Sequence, residues 1–183
     1  RFISQMTMDT EGIYGVPLHV SATVVFLFVL FGTMLERAGG GNFFIQLAIS
    51  GLGRFRGGAA KAAVLGSALT GVVSGSSIAN VVTTGTFTIP LMKKVGYPPE
   101  KAAAVEVASS INGQLAPPVM GAAAFIIAEL TGTPYLDVAL ATVIPAILYF
   151  VSIFYMIDLE AYKEGLHGYA KDELPDARKV LLE

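Results

Sequence analysis

The chain has 183 residues, of which 54% are hydrophobic and only 14% are charged. Soluble domains carry about 25% charged residues, so this composition excludes an ordinary water-soluble domain and indicates a membrane protein. The net charge of −2 argues against nucleic acid as a partner. Because cysteine is absent, disulfides, thiolate metal sites and a catalytic thiol are excluded.

The first hydrophobic zone, Gly12–Leu35, carries no formal charge and predicts a first membrane span. The glycines at 39–41 are expected to end it. The next zone, Asn42–Leu52, is shorter and more polar, and predicts a surface or interfacial helix. The chain starts at Arg1 and stops at Glu183 in a charged stretch, so we expect a fragment of a longer protein.

The third zone is a run of thirty-one uncharged residues, Ala62–Met92, between Lys61 and the pair Lys93-Lys94. A helix crosses a bilayer with roughly 20 residues, so the run is too long for one comfortable crossing. A single crossing would also put the lysines on opposite faces. We therefore predict a re-entrant helical hairpin that turns at residues 75–80. A polar turn at membrane depth is tolerated only in protein or beside a wet cavity, which indicates an ion or substrate site.

The fourth zone, Ala102–Ala128, carries one charge, Glu106, and is interrupted by Pro117-Pro118. Proline removes a backbone donor and disfavours helix in the residue before it, so this zone predicts a broken helix. Val138–Ile157 is uncharged and predicts a last span. Residues 158–183 are charged and predict a cytoplasmic amphipathic linker or surface helix.

The distribution of lysine and arginine along the chain supports this topology. With a re-entrant hairpin, eleven of the twelve cationic residues fall on one face, and only Arg1 lies on the other. The positive-inside rule makes that face cytoplasmic. We therefore predict an all-α, multi-pass protein of a cytoplasmic membrane.

The hairpin turn has the oxygen-rich composition of a cation site. It supplies Ser76, Ser77 and Asn80, with Thr83 and Thr84 just beyond. Hydroxyl and amide oxygens, with carbonyls freed at a helix end, suit a hard monovalent cation. The turn offers no carboxylate, which favours sodium over calcium or a transition metal.

The broken helix has a similar polar run, residues 109–114, ahead of its prolines. Unwinding there would turn the carboxyl ends of the first half-helices toward a cation and the amino ends of the second half-helices toward an anion. An anionic solute taken up with sodium fits this arrangement. The residues predicted to contact it are Asn80, Thr83, Thr84, Pro117, Pro118 and Val119.

Three structural alternatives remain open. Glycine and serine in membrane helices often serve close packing, and residues 71–75 fit such a packing face. The two prolines can be a simple kink. Glu106 is functional by default in a hydrophobic stretch, but its position five residues after Lys101 also fits a structural role at the interface.

Four segments resemble one family. Residues 75–97, GSSIANVVTTGTFTIPLMKKVGY, resemble the hairpin of the large permease of tripartite ATP-independent periplasmic (TRAP) transporters, above all the fused permease that works with TAXI-type binding proteins. Residues 113–125 resemble that family's broken helix, and residues 10–17 and 158–161 also fit.

The resemblance implies a sodium-coupled elevator-type importer that receives an organic acid anion from a periplasmic binding protein, here of TAXI type. The large permease has two inverted repeats, so residues 1–157 would be the first repeat, working with the remainder of the permease chain in a bacterial or archaeal inner membrane. It also implies a first sodium site between hairpin tip and broken helix. Carried over, that site falls on Ser76, Ser77, Asn80, Ser110, Asn112 and Gly113.

Two other functions fit the same residues. One is a sodium–anion symporter that works without a binding protein. The other is a membrane scaffold in which the small residues only pack helices. An enzyme is not expected, since the sequence has no nucleophile–base pair or metal cluster, and no cofactor beyond the coupling ion is predicted.

Overall fold

The computed structural model describes residues 7, 12, 14–169, 174, 175 and 180. Every regular element in those ranges is helical, which confirms the predicted all-α class. The elements are α1 (Val16–Val20), a π-helical segment (Ser21–Val25), α2 (Phe26–Arg37), α3 (Gly40–Leu52), α4 (Gly58–Ser74), α5 (Ser77–Lys94), α6 (Pro99–Leu115), α7 (Ala122–Thr131) and α8 (Tyr135–Lys163).

The first predicted span is a continuous helix made of α1, the π-helical segment and α2. It ends close to Gly39, whose φ of +92° is a left-handed conformation that glycine adopts without strain. Of the three glycines only Gly39, together with Ala38, lies between the two helices, because Gly40 and Gly41 already belong to α3. The expectation that all three glycines end the span was therefore wrong.

Helices α4 and α5 form the predicted hairpin, joined by Gly75 and Ser76 alone. The turn is shorter than the predicted range of residues 75–80, because Ser77 to Asn80 form the first turn of α5. Ser76 makes this early start possible, since its side-chain oxygen caps the new helix. Helices that reverse over two residues run antiparallel, so Lys61 and Lys94 lie at the same end of the hairpin.

The second broken element is also present. Helix α6 ends at Leu115, and α7 begins at Ala122. The predicted last span lies within α8, which has 29 residues and continues to Lys163 without a break at residue 158. The predicted boundary at that residue is therefore not a helix end, and eleven of the 26 residues of the predicted surface helix (170–173, 176–179 and 181–183) lie outside the described residues.

Helix α4 lies at the centre of the packing, against α3, α5 and α6. Most of its buried residues are small: glycine, alanine, serine and threonine. Small residues let helix backbones approach closely, which is how membrane helices commonly pack. A buried apolar cluster joins α4 and α6 to α8 at the lysine end of the hairpin, through residues that include Val64, Ala102 and Ile157.

Helix α8 and the first helix leave large apolar side chains exposed. Leu136, Ile144 and Met156 are each more than two-thirds exposed. Within the described residues, α8 is the helix that is long and apolar enough to cross a membrane; at about 1.5 Å per residue it measures about 43 Å. Contiguous apolar surface of this kind marks contact with lipid or with other protein.

Candidate functional site

The tip of the hairpin is a tight glycine turn. Gly75 has a φ of +63°, and its N–H donates to the carbonyl of Gly71 (2.8 Å). Ser76 is extended, and its Oγ accepts from the N–H of Ala79 (3.3 Å). A Cβ on Gly75 would lie 2.5 Å from the carbonyl oxygen of Met120, so the tip lies directly against the break of the other helix.

The break between α6 and α7 runs through a cis Pro117-Pro118 bond and Met120, which has a φ of +57°. The N–H of Gly121 donates back to the carbonyl of Gln114 (3.0 Å), which closes the irregular segment. The hydroxyl of Tyr135 is within 2.7 Å of the carbonyls of Pro118 and Val119. The prolines thus interrupt the helix, as predicted, rather than only bending it, and the Tyr135 hydroxyl donates to the carbonyls freed at the break.

The two broken elements also meet side by side. The Nε2 group of Gln114 donates to Ser77 Oγ (2.8 Å) at the tip. One turn deeper, Gly71 and Gly113 are in backbone contact, since a Cβ on Gly113 would lie 2.7 Å from the Cα of Gly71. The packing role considered for Gly71 is therefore correct, and the same contact brings Gly113 to the hairpin.

Asn80 and Asn112 are buried near this crossing. The amide nitrogen of Asn80 lies 2.8 Å from both the carbonyl and the Oγ of Ser67, and 3.2 Å from Ser110 Oγ. Among the described residues, neither Oδ1 of Asn80 nor either side-chain polar atom of Asn112 has a hydrogen-bond partner. Buried polar atoms are rarely left unsatisfied, so these atoms are candidates for contact with water, an ion or another ligand.

A second polar layer lies deeper between the hairpin and α6, around Glu106. This side chain is fully buried. Its Oε1 accepts from the hydroxyls of Thr84 (2.5 Å), Ser110 (3.1 Å) and Ser67 (3.3 Å), and its Oε2 accepts from Thr88 (2.5 Å). Glu106 is therefore buried inside the protein, where it joins both arms of the hairpin to α6, and its position relative to the membrane interface stays a prediction.

Lys101 instead joins α6 to α8 at the cationic end of the fold. Its Nζ binds Glu160 and Glu164, and these hydrogen bonds raise its pKa. Nearby, Asp158 pairs with Lys61 (2.6 Å) and Arg56 (2.5 Å). Burial, reinforced by the negative charges of Glu160 and Asp158, raises the pKa of the Tyr97 hydroxyl to about 12.

The residues predicted for the sodium site lie in two places. Asn80, Ser110 and Gly113 come together at the crossing of the hairpin with α6, and Asn112 is buried on the same stretch of α6. Ser76 and Ser77 lie at the tip, where their oxygens accept from Ala79 and Gln114.

The residues predicted to contact an anion are also divided. A cavity of about 470 Å³ opens between the tip and the break, lined by residues that include Ser76, Gln114 and Val119. Thr84 does not face it, because it is fully buried against Glu106. Thr83 bonds to the carbonyl of Ala79 on its own helix (2.7 Å).

Sequence reasoning missed Ser67 and Thr88, and it placed Gln114 in the polar run of residues 109–114 without naming it as a site residue. Ser67 and Thr88 lie outside both turns, and no local pattern separates them from the many small polar residues that only pack. The single charge in the fourth zone was the available signal, because a buried carboxylate requires hydrogen-bond donors from neighbouring helices.

Comparison with known proteins agrees with this architecture. The model of the family described as tripartite ATP-independent periplasmic transporter, DctM component, matches residues 2–183. The uncharacterized protein y4mL of Sinorhizobium fredii is 30% identical over 154 residues, covering 84% of this chain and 36% of that protein.

Relatives with a described activity are similar over shorter stretches. The C4-dicarboxylate TRAP transporter large permease protein DctM of Vibrio cholerae is 37% identical over 100 residues, 55% of this chain and 22% of that protein. The ectoine TRAP transporter large permease protein TeaC of Halomonas elongata is 30% identical over 131 residues, 72% of this chain and 30% of that protein. The chain thus spans about a third or less of these relatives.

The family model extends over almost the whole chain, and the hairpin and broken helix that carry the resemblance are both present in the fold. The chain therefore belongs to the DctM component family of tripartite ATP-independent periplasmic transporters.

Proposed function

We propose that this chain is part of the large permease of a TRAP transporter and imports an organic acid anion together with sodium. The observation that carries the proposal is the crossing of the hairpin with α6, where Gly71 and Gly113 touch and the amides of Asn80 and Asn112 retain polar atoms without a partner among the described residues. Two broken helical elements that meet at their breaks are the usual binding architecture of secondary transporters.

The donor atoms at this crossing fit sodium. The Oδ1 atoms of Asn80 and Asn112 and the hydroxyl of Ser110 are hard oxygen ligands, as is a backbone carbonyl of Gly113. Ser76 and Ser77 would contribute from the tip side. The buried carboxyl of Glu106 lies 3.1 Å from Ser110 Oγ and would favour a cation nearby when it is charged.

The cavity between tip and break supports an anion site beside the ion. Helix α7 starts at its edge, and the residue before it, Gly121, makes no side-chain capping bond. The unsatisfied N–H groups of a helix start attract anions. Of the residues predicted to contact the anion, Val119 lines this cavity. In this proposal, Asn80, Thr83, Pro117 and Pro118 contact the solute from beyond the cavity wall.

The names of the relatives guide the proposed partners. A periplasmic binding protein, of TAXI type by the resemblance of residues 75–97, would deliver the solute from outside the cytoplasmic membrane. The remainder of the permease would supply the second repeat and cover the exposed apolar faces of α2 and α8. Residues 1–157 would then be the first repeat, and the cationic loops would face the cytoplasm.

The experiment that tests the sodium site is cysteine labelling of Ala79, an exposed residue in the first turn of α5. In the full-length permease, with other cysteines removed, Ala79→Cys would be labelled by a membrane-impermeant maleimide in sodium and in potassium. We expect sodium to slow the labelling selectively, because an ion between Asn80 and α6 would hold the tip closed.

A matched control is Thr131→Cys, which is exposed at the far end of α7. Its labelling is expected to be equal in both salts. Equal labelling of Ala79→Cys in the two salts would exclude a sodium site at this hairpin. Failure of the tip to react in either salt would favour a buried packing turn and hence the scaffold function.

A further inference from the structure

A patch of exposed positive charge lies at the lysine end of the hairpin. Arg54 follows α3 in the chain, and Lys93 and Lys94 form the end of α5. The side chains of all three residues are exposed. Within the described part of the chain, none of the three forms an ion pair with a carboxylate. We call these three residues the basic patch.

The carboxylates near the basic patch do not neutralise it. Three of them, at the end of α8, already bind lysines of α4 and α6: Asp158, Glu160 and Glu164. Glu100, in the first turn of α6, is exposed and pairs with no described cation. The nitrogen donors of the basic patch therefore keep their charge and remain available to a negatively charged partner.

Tyr169, which follows α8 in the chain, holds the two parts of the basic patch together. Its backbone N–H donates to the carbonyl of Gly53 (2.9 Å), and its hydroxyl donates to the carbonyl of Leu91 (3.2 Å). Gly53 directly precedes Arg54, and Leu91 lies two residues before Lys93. Because one residue bonds to both carbonyls, the loop after α3 and the end of α5 are neighbours. Positive charges from two separate segments thus meet on one surface.

Exposed aromatic rings lie beside these charges. The guanidinium of Arg54 lies over the ring of Phe55, 5.0 Å from its centroid, and the ring of Phe55 is itself exposed. In the same loop, Arg56 lies over the exposed ring of Tyr162 (5.1 Å). Aromatic side chains concentrate where lipid headgroups meet hydrocarbon. A phospholipid offers both a charged headgroup and an apolar chain to such a surface, whereas a free anion offers charge alone.

A structural alternative is that the cations only serve the helices that carry them. Cations at the carboxyl end of a helix interact favourably with its dipole, and α3 and α5 both end at the basic patch. That effect is local to each helix, and it requires neither exposed rings nor the joining of two segments. Lipid binding distinguishes the two explanations, because a dipole contact needs no lipid.

We propose that the basic patch binds the headgroup of an anionic phospholipid. The guanidinium of Arg54 and the ammonium groups of Lys93 and Lys94 donate to the phosphate oxygens, and the ring of Phe55 contacts the start of the acyl chains. The positive-inside rule puts this end of the hairpin at the cytoplasmic leaflet, where anionic lipids attract basic segments. The inference goes beyond the proposed sodium–anion transport and does not depend on it.

Lipid binding to the purified full-length permease tests this without transport or sodium. Phosphatidylglycerol and phosphatidylcholine would each be titrated into the detergent-solubilised protein, and bound lipid would be counted by native mass spectrometry. We expect the wild type to bind phosphatidylglycerol more tightly than phosphatidylcholine. Arg54→Gln and Lys94→Gln are each expected to weaken phosphatidylglycerol binding about fivefold. Both side chains are exposed, so the variants are expected to fold.

The matched control is Arg37→Gln, which removes one exposed positive charge at the end of α2, away from the basic patch. It is expected to leave phosphatidylglycerol binding unchanged. Unaltered binding in both Arg54→Gln and Lys94→Gln would overturn the proposal, as would an equal loss in Arg37→Gln or an equal wild-type affinity for phosphatidylcholine.

Two further measurements separate a lipid from a free anion. Phe55→Ser keeps every charge, and it is expected to weaken phosphatidylglycerol binding because the ring beside the headgroup is lost. Inorganic phosphate, added at the same concentration as the lipid, is expected to displace little of it. Full displacement by phosphate, or unchanged binding in Phe55→Ser, would contradict a phospholipid site.

Discussion

At the residue scale, Gly75 shows how one missing side chain permits the contact between the two broken elements. Its φ of +63° and the 2.5 Å that would separate a Cβ from Met120 O both require glycine. We expect Gly75→Ala to destabilise the permease by roughly 2 kcal/mol or more, because it adds a steric clash to backbone strain. Thermal unfolding of the full-length protein in detergent measures this.

Gly132→Ala is the matched control for Gly75→Ala. Gly132 has the same φ of +63°, but a Cβ added there would have no described atom within 4 Å. It is expected to cost only the backbone term, about 1 kcal/mol. Equal destabilisation by the two variants would mean that the tip does not press against the break.

At the element scale, the crossing of α4 and α6 depends on two facing glycines. A Cβ on Gly113 would lie 2.7–2.8 Å from three backbone atoms of Gly71, and backbone cannot move aside as a flexible side chain can. We expect Gly113→Ala to lower stability by about 1–3 kcal/mol and to weaken sodium protection of Ala79→Cys, since the helices must separate. Unfolding temperature and labelling rate measure the two effects.

Gly51→Ala, in α3, separates this clash from the general effect of alanine in a helix. Within the described part of the chain, no atom lies within 4 Å of a Cβ there, so the variant is expected to be neutral or to gain up to about 1 kcal/mol from helix propensity. If Gly113→Ala changed the stability no more than Gly51→Ala does, the result would contradict the close crossing of α4 and α6.

The elements themselves could be predicted well from the sequence. An uncharged run bounded by lysines predicted the hairpin, and an apolar run interrupted by two prolines predicted the broken helix, because a chain in lipid must satisfy its backbone within helices. The predicted ends of these elements were less accurate, since Ser77 to Asn80 belong to α5 rather than to the hairpin turn. A serine cap and a single left-handed glycine can reverse the chain in two residues, and the composition of the run does not reveal which polar residue caps.

At the scale of the whole molecule, the prediction that the hairpin is re-entrant places Arg54 and Lys94 on the same side of the membrane. Both residues are exposed. In the full-length permease, Arg54→Cys and Lys94→Cys are expected to react from the cytoplasmic side, and Thr131→Cys from the other side. Impermeant maleimide applied to sealed vesicles of either orientation measures this.

The sidedness of Lys94→Cys decides between the two topologies. If it reacted from the face opposite to Arg54→Cys, the run from Ala62 to Met92 would cross the membrane.

The exposed apolar surface of α8 also belongs to this scale, since side chains such as Leu136 and Met156 require lipid or the rest of the permease as a neighbour.

The sequence by itself determined the helical class, the two broken elements and the family, because these follow from local composition, charge spacing and contiguous motifs. It also singled out Asn80 and Ser110, which do meet at the crossing. Only the tertiary structure decided that Ser67, Thr84 and Thr88 surround Glu106. Those contacts join residues 18 to 39 positions apart. They depend on how each helix is rotated about its axis, and that rotation is set by contacts between glycines far apart in the sequence, such as Gly71 and Gly113.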